Sequence, residues 1–72
     1  MSQIKSEMAA TVWKIKVGVG DEVTAGDEVA LVESMKMEIP VTASATGVVS
    51  AIHVAEGGLV GPGDLMFEIS PG

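Results

Sequence analysis

The chain has 72 residues, ten acidic against four basic side chains, no cysteine and a formal charge of −6. That size lies near the lower limit at which an apolar core suffices without metals or disulfides, and the missing cysteines exclude disulfides and thiolate metal sites. With four lysines and no arginine, there is no cation cluster for a nucleic acid backbone. No apolar run approaches the roughly 18 to 20 residues of a membrane span. The start, Met1-Ser2-Gln3-Ile4-Lys5, has neither the basic nor the apolar region of a signal peptide. The expectation is one cytoplasmic domain over residues 1–72. Its apolar content of 47% suits a folded chain, and because only Trp13 and Phe67 supply aromatic bulk, aliphatic residues and methionine must fill the core.

Strand signals are short and numerous. In chain order they begin with a weak candidate at Ile4 to Glu7, then Thr11 to Val17, which alternates well from Trp13 onward. Gly18 and Gly20-Asp21 interrupt before Val23-Thr24, and Gly26-Asp27 before the β-branched run Val29 to Glu33. Met37 to Thr42 follows, then Gly47 to Val54, the turn Gly57-Gly58, the pair Leu59-Val60, the turn Gly61-Pro62-Gly63-Asp64 and finally Leu65 to Ser70. No window carries the 3.6-residue periodicity and length of a stable helix. Seven or eight short strands in so small a chain imply an all-β flattened barrel or two-layer sandwich.

The sequence also repeats itself. A shift of 37 residues superposes Val12 on Val49, Ile15 on Ile52, Val17 on Val54, Gly20 on Gly57, Val23 on Val60, Gly26 on Gly63 and Asp27 on Asp64. Turn glycines and strand residues keep one register, so the chain reads as two copies of one supersecondary unit, about residues 4–35 and 37–70. Gly20, Gly26, Asp27, Gly47, Gly57, Gly63 and Asp64 are read as structural turn residues. The two aspartates follow glycine at equivalent turns, where a carboxylate can accept backbone N–H bonds.

Lys36 lies in the connection between the copies. If Met35-Lys36 is a two-residue hairpin turn, Ser34 pairs with Met37, Glu33 with Glu38 and Val32 with Ile39. Two glutamates opposite each other cost up to about 1 kcal/mol unless solvated, so that end of the hairpin is expected to face water. The turn composition is unusual, since such turns need positive φ at both central residues and prefer Asn-Gly or Asp-Gly. Strain tolerated there suits a recognition or attachment function.

From Ile4 to Ile69 the chain resembles the biotinyl domains of biotin-dependent carboxylases, particularly the small free-standing biotin/lipoyl attachment proteins. The specific element is Glu33-Ser34-Met35-Lys36-Met37-Glu38, in which Met35-Lys36-Met37 matches the biotin acceptor motif and Lys36 the modified lysine. The resemblance implies a flattened eight-stranded barrel, the barrel-sandwich hybrid, made of two pseudo-two-fold-related four-stranded antiparallel sheets. It also implies a carrier without catalysis of its own, monomeric, whose Lys36 amine attacks biotinyl-5′-AMP on a biotin protein ligase. Biotin then takes up carboxylate at a biotin carboxylase and yields it at a carboxyltransferase. Lysine suits this because its long flexible stem carries the cofactor to a second protein's active site. Two departures from the family pattern stand out: Ser6-Glu7-Met8-Ala9-Ala10 replaces a proline-containing, glycine-ended turn, and Ser34 stands where alanine is common. The stretch between Val17 and Val32 is too short for the protruding thumb of some bacterial carriers.

Around the acceptor, Met35 and Met37 are assigned to partner recognition as adaptable apolar contacts, with Ser34 beside them. Core filling remains the alternative for Met37, which starts a strand. Glu33 and Glu38 read as docking charges, or as solubilising ones. Lipoate on the same lysine is the nearest rival cofactor, although lipoyl acceptors usually read Asp-Lys-Ala; an unmodified adaptor binding partners through the hairpin is another. His53, the only histidine, has no second histidine or cysteine for zinc and reads as a partly exposed strand residue. No nucleophile triad or glycine-rich phosphate loop is present.

Overall fold

The computed structural model describes residues 2–71. Eight strands follow in order: β1 (Ser2–Lys5), β2 (Ala10–Ile15), β3 (Glu22–Val23), β4 (Glu28–Ser34), β5 (Met37–Thr42), β6 (Gly47–Ile52), β7 (Leu59–Val60) and β8 (Leu65–Ser70). They form two four-stranded antiparallel sheets, ordered β1-β8-β6-β3 and β5-β4-β2-β7. This is the flattened all-β barrel expected from the short strands and glycine turns. Strand existence follows the alternation of the sequence; some ends differ, with β2 stopping at Ile15 and β6 at Ile52.

The 37-residue shift carries β2 onto β6 and β3 onto β7, and overlays all of β1 on part of β5 and most of β4 on β8. Neither sheet comes from one copy, however. Each takes two strands from each half, so the copies interleave and bury a common core. Equivalent positions are buried together: Val12 with Val49, Val23 with Val60, Val29 with Met66, and Val32 with Ile69. At one pair of equivalent positions the volumes differ, Ala30 in one copy and Phe67 in the other, and both are fully enclosed. Unequal residues at matching sites let the two layers interdigitate, and the burial of Phe67 alone contributes about 3 kcal/mol.

Trp13 is not part of that core. A bulge between Val12 and Lys14 breaks the β2–β4 register, and Trp13 is left 53% exposed. An extra residue in one strand breaks the alternation that a sequence pattern assumes. The matching bulge in β6 lies between Val49 and Ala51.

Gly20, Gly26, Gly57 and Gly63 occupy turns at φ between 85° and 96°, where a side chain is disfavoured. In two of these turns the aspartate closes the loop as its position suggested: Asp27 Oδ2 accepts from Thr24 N at 2.9 Å and Asp64 Oδ2 from Gly61 N at 2.7 Å. Asp21 does the same for Gly18 N at 2.7 Å. Gly47 corrects the sequence reading. It is no turn residue but opens β6, and a Cβ there would lie 2.1 Å from the Ser70 carbonyl oxygen. Its glycine is required by close approach of the β8 backbone rather than by a turn.

Candidate functional site

Strands β4 and β5 pair in register from Leu31 with Pro40 through Val32 with Ile39 and Glu33 with Glu38 to Ser34 with Met37. Apolar Val32 is buried and Ile39 packs against the core, so this pair anchors the hairpin inward and leaves its end free. Met35 and Lys36 are the turn, at φ 52° and 65°, the left-handed values that a two-residue hairpin demands. They are the only non-glycine residues with positive φ among the described residues.

Lys36 is exposed at the tip, and Met35 and Met37 beside it are 91% and 65% exposed. Such exposure removes core filling as the explanation for Met37. Glu33 and Glu38 face each other across the strands, both exposed. Neither is in an ion pair among the described residues, where Lys16–Glu28 and His53–Glu68 are the pairs formed. His53 is thus engaged as an exposed partner of Glu68, with Nε2 to Oε2 at 2.8 Å.

Ser34 also supports the hairpin. Its hydroxyl donates to the Ala9 carbonyl at 3.1 Å, tying β4 to the segment between β1 and β2. That segment is itself held: Ser6, the one buried polar residue among those described, donates its hydroxyl to Met8 O at 2.7 Å, and its N–H to Asp64 O at 2.9 Å. No local signal could have paired Ser34 with a carbonyl 25 residues away.

The Val32–Ile39 pair of β4 and β5 is equivalent by the 37-residue shift to the Ile69–Ser2 pair of β8 and β1. Lys36 is thus an exposed lysine on a tight turn with exposed apolar neighbours on both sides.

The family model for "biotin-requiring enzyme" matches residues 1–69. The chain belongs to the biotin/lipoyl attachment family. It is 43% identical over 67 residues to the biotin/lipoyl attachment protein of Bacillus subtilis, covering 93% of this chain and 92% of that one. Among solved structures it is similar to part of the urea carboxylase of Kluyveromyces lactis, with TM-score 0.89 and 39% identity over 96% of this chain and 6% of that one. It is also similar to the lipoyl domain of the 2-oxoglutarate dehydrogenase complex from Azotobacter vinelandii, with TM-score 0.82 and 26% identity over 97% and 96% of the two chains. Family members thus include both free-standing domains of this length and small parts of long carboxylases.

The fold also exposes residues that strand patterns alone do not single out. Leu59 in β7 is 83% exposed and Trp13 sits on the β2 bulge, both on the sheet that carries the hairpin. Leu59 faces out because it alternates with buried Val60, as Glu22 does with Val23, whereas Trp13 is put outside by the bulge.

Proposed function

We propose that this chain is a biotin carboxyl carrier whose Lys36 is the residue acylated by biotin. The observation that carries the assignment is the turn itself: Lys36 exposed, held at positive φ, and flanked by exposed Met35 and Met37. The Lys36 ammonium would first lose one proton to the medium; the neutral nitrogen would then form an amide with the activated biotin carboxyl carbon as the acyl–phosphate bond breaks, with AMP leaving and a second proton released. That step removes one positive charge from a chain already at −6. The residues present suit the group, because nothing covers the tip and the hairpin end is solvated.

When attached, biotin supplies a ring nitrogen that takes up and gives away a carboxyl group. The protein's part is positional. A rigid barrel presents the arm on a paired hairpin, and tethering raises its effective concentration at each partner's active site. The partners are a biotin protein ligase, a biotin carboxylase and a carboxyltransferase, working in the cytoplasm. Glu33, Glu38, Met35 and Met37 form the contact surface around the arm, with Ser34 holding the hairpin against Ala9.

Lipoate on the same lysine is the second reading, favoured by the likeness to a lipoyl domain and by the name of the Bacillus subtilis relative. Intact mass after expression with both cofactors available decides between them. Biotin as the added group is expected, with no addition in Lys36→Arg. Exclusive lipoylation, or carrier activity that survives Lys36→Arg, overturns the assignment.

A further inference from the structure

The pseudo-two-fold supplies an internal control for the outer faces of the two sheets. Pairing places Leu59, Thr11, Glu33 and Glu38 in one row across the outside of β7, β2, β4 and β5. The equivalent row on the other sheet is Glu22, Val48 and Ser70. One step further from the hairpin, the bulge residues Trp13 and Lys14 adjoin Leu31 and Pro40, whereas their equivalents are Ser50, Ala51, Glu68 and Gln3. The fold sets the same backbone surface on both sides, yet one side has Leu59 where the other has Glu22, and Trp13 where the other has Ser50. Of the five large exposed hydrophobics among the described residues, Trp13, Met35, Met37 and Leu59 belong to the hairpin sheet and its turn; Val19 lies apart in the loop before β3. Packing cannot account for this difference, because none of the four is enclosed.

Each sheet has one glutamate in an ion pair, Glu28 with Lys16 on the hairpin sheet and Glu68 with His53 on the other. At the end of the hairpin Glu33 and Glu38 stand opposed, exposed and in no ion pair among the described residues, a like-charge arrangement that an incoming positive group would turn into an attraction. An apolar area bordered by unpaired carboxylates complements an apolar patch bordered by Lys or Arg.

We infer that the outer face of the β5-β4-β2-β7 sheet, from the hairpin to Leu59 and Trp13, is the docking surface for the acyl-transferring enzyme that modifies Lys36. This rests on the carrier reading above and names the partner. Reach selects that enzyme over the later ones. Before modification the acceptor nitrogen extends only about 6 Å from its Cα, and it must come within roughly 3 to 3.5 Å of the activated carbon. The modifying enzyme must therefore seat against the hairpin and the sheet surface continuous with it, while enzymes that act on the finished arm meet it about 14 Å out.

The test is the steady-state kinetics of biotin transfer to the unmodified chain by a biotin protein ligase with biotin and ATP, read by intact mass. The variant Leu59→Glu/Trp13→Ser installs the residues that the other sheet carries at the same places. It should keep its melting temperature and raise the KM for the carrier at least tenfold with kcat within twofold. Gln3→Glu, which adds a charge on the opposite face, should leave both constants unchanged. Wild-type KM should rise with salt as the carboxylates are screened. As a second measurement, ¹⁵N amide shifts of the Lys36→Ala chain titrated with ligase should move along β2 and β7 but not β3 and β6. A double variant with wild-type KM, or shifts confined to residues 33–39, overturns the docking surface and leaves the carrier assignment intact. A wild-type chain that accepts no biotin overturns both.

Discussion

At Gly20, Gly26, Gly57 and Gly63 the backbone turns through φ of 85° to 96°, whereas the β4–β5 hairpin asks positive φ of Met35 and Lys36, at 52° and 65°. The four glycine turns serve only to reverse the chain, so a residue without a side chain meets the demand without strain. The hairpin must also present an amine. Each left-handed non-glycine residue costs of order 1 kcal/mol, and the long β4–β5 pairing, the buried Val32 and the Ser34–Ala9 bond hold the turn against that cost. The difference separates turns that build the barrel from the one turn that uses it. Substitutions in the first kind should act on stability, and in the second on modification.

The largest effect is expected where a glycine is demanded by contact rather than by angle. Gly47→Ala places a methyl against Ser70 O, Ser70 C and Ile69 Cγ2, and chemical denaturation should show a loss of about 3 kcal/mol; a loss below about 1 kcal/mol means β8 moves aside freely. Next comes Gly63→Ala. Nothing lies within 4 Å of the added Cβ, so its cost, about 1 to 2 kcal/mol, measures the angle alone. At the hairpin the sign reverses. Met35→Asn, with a residue suited to this turn, should gain up to about 1 kcal/mol while slowing biotin transfer to Lys36, and a variant that gained stability with undiminished transfer would remove Met35 from the recognition surface. Smallest in stability is Glu38→Lys, which turns a repulsive cross-strand pair into an attractive one. It should add a few tenths of a kcal/mol and slow transfer, and a large fall in melting temperature would contradict the solvated hairpin end.

Much of the barrel was legible because its signals are local. Strand positions followed from alternation, and the hairpin register followed from Val32 meeting Ile39 once Met35-Lys36 was taken as the turn. Gly26-Asp27 and Gly63-Asp64 announced their turns through residue type, and the carboxylate bonds to Thr24 N and Gly61 N formed as that chemistry suggests. Gly47 misled because the sequence records that no Cβ is wanted, not why. Its reason is the backbone of Ser70, which pairs with Val48 beside it. Trp13 leaves the face of Ile15 and Val17 for a different reason: a bulge inserts one residue into the period on which alternation depends. At the site, Lys36 and its methionines were visible as a motif, while the Ser34–Ala9 bond was not.

By itself, then, the amino-acid sequence determined the order of the strand segments, the repeat, and a solitary lysine at the joint, because period-two patterns, turn residues and a two-residue hairpin are properties of neighbouring residues. The tertiary structure decided how the copies interleave, which backbone passes too close to Gly47 for a side chain, and which exposed residues share the face beside Lys36. Those outcomes depend on which strands become neighbours when two similar halves close on one core, and residues such as Leu59, Thr11 and Glu33 become a row only after that closure.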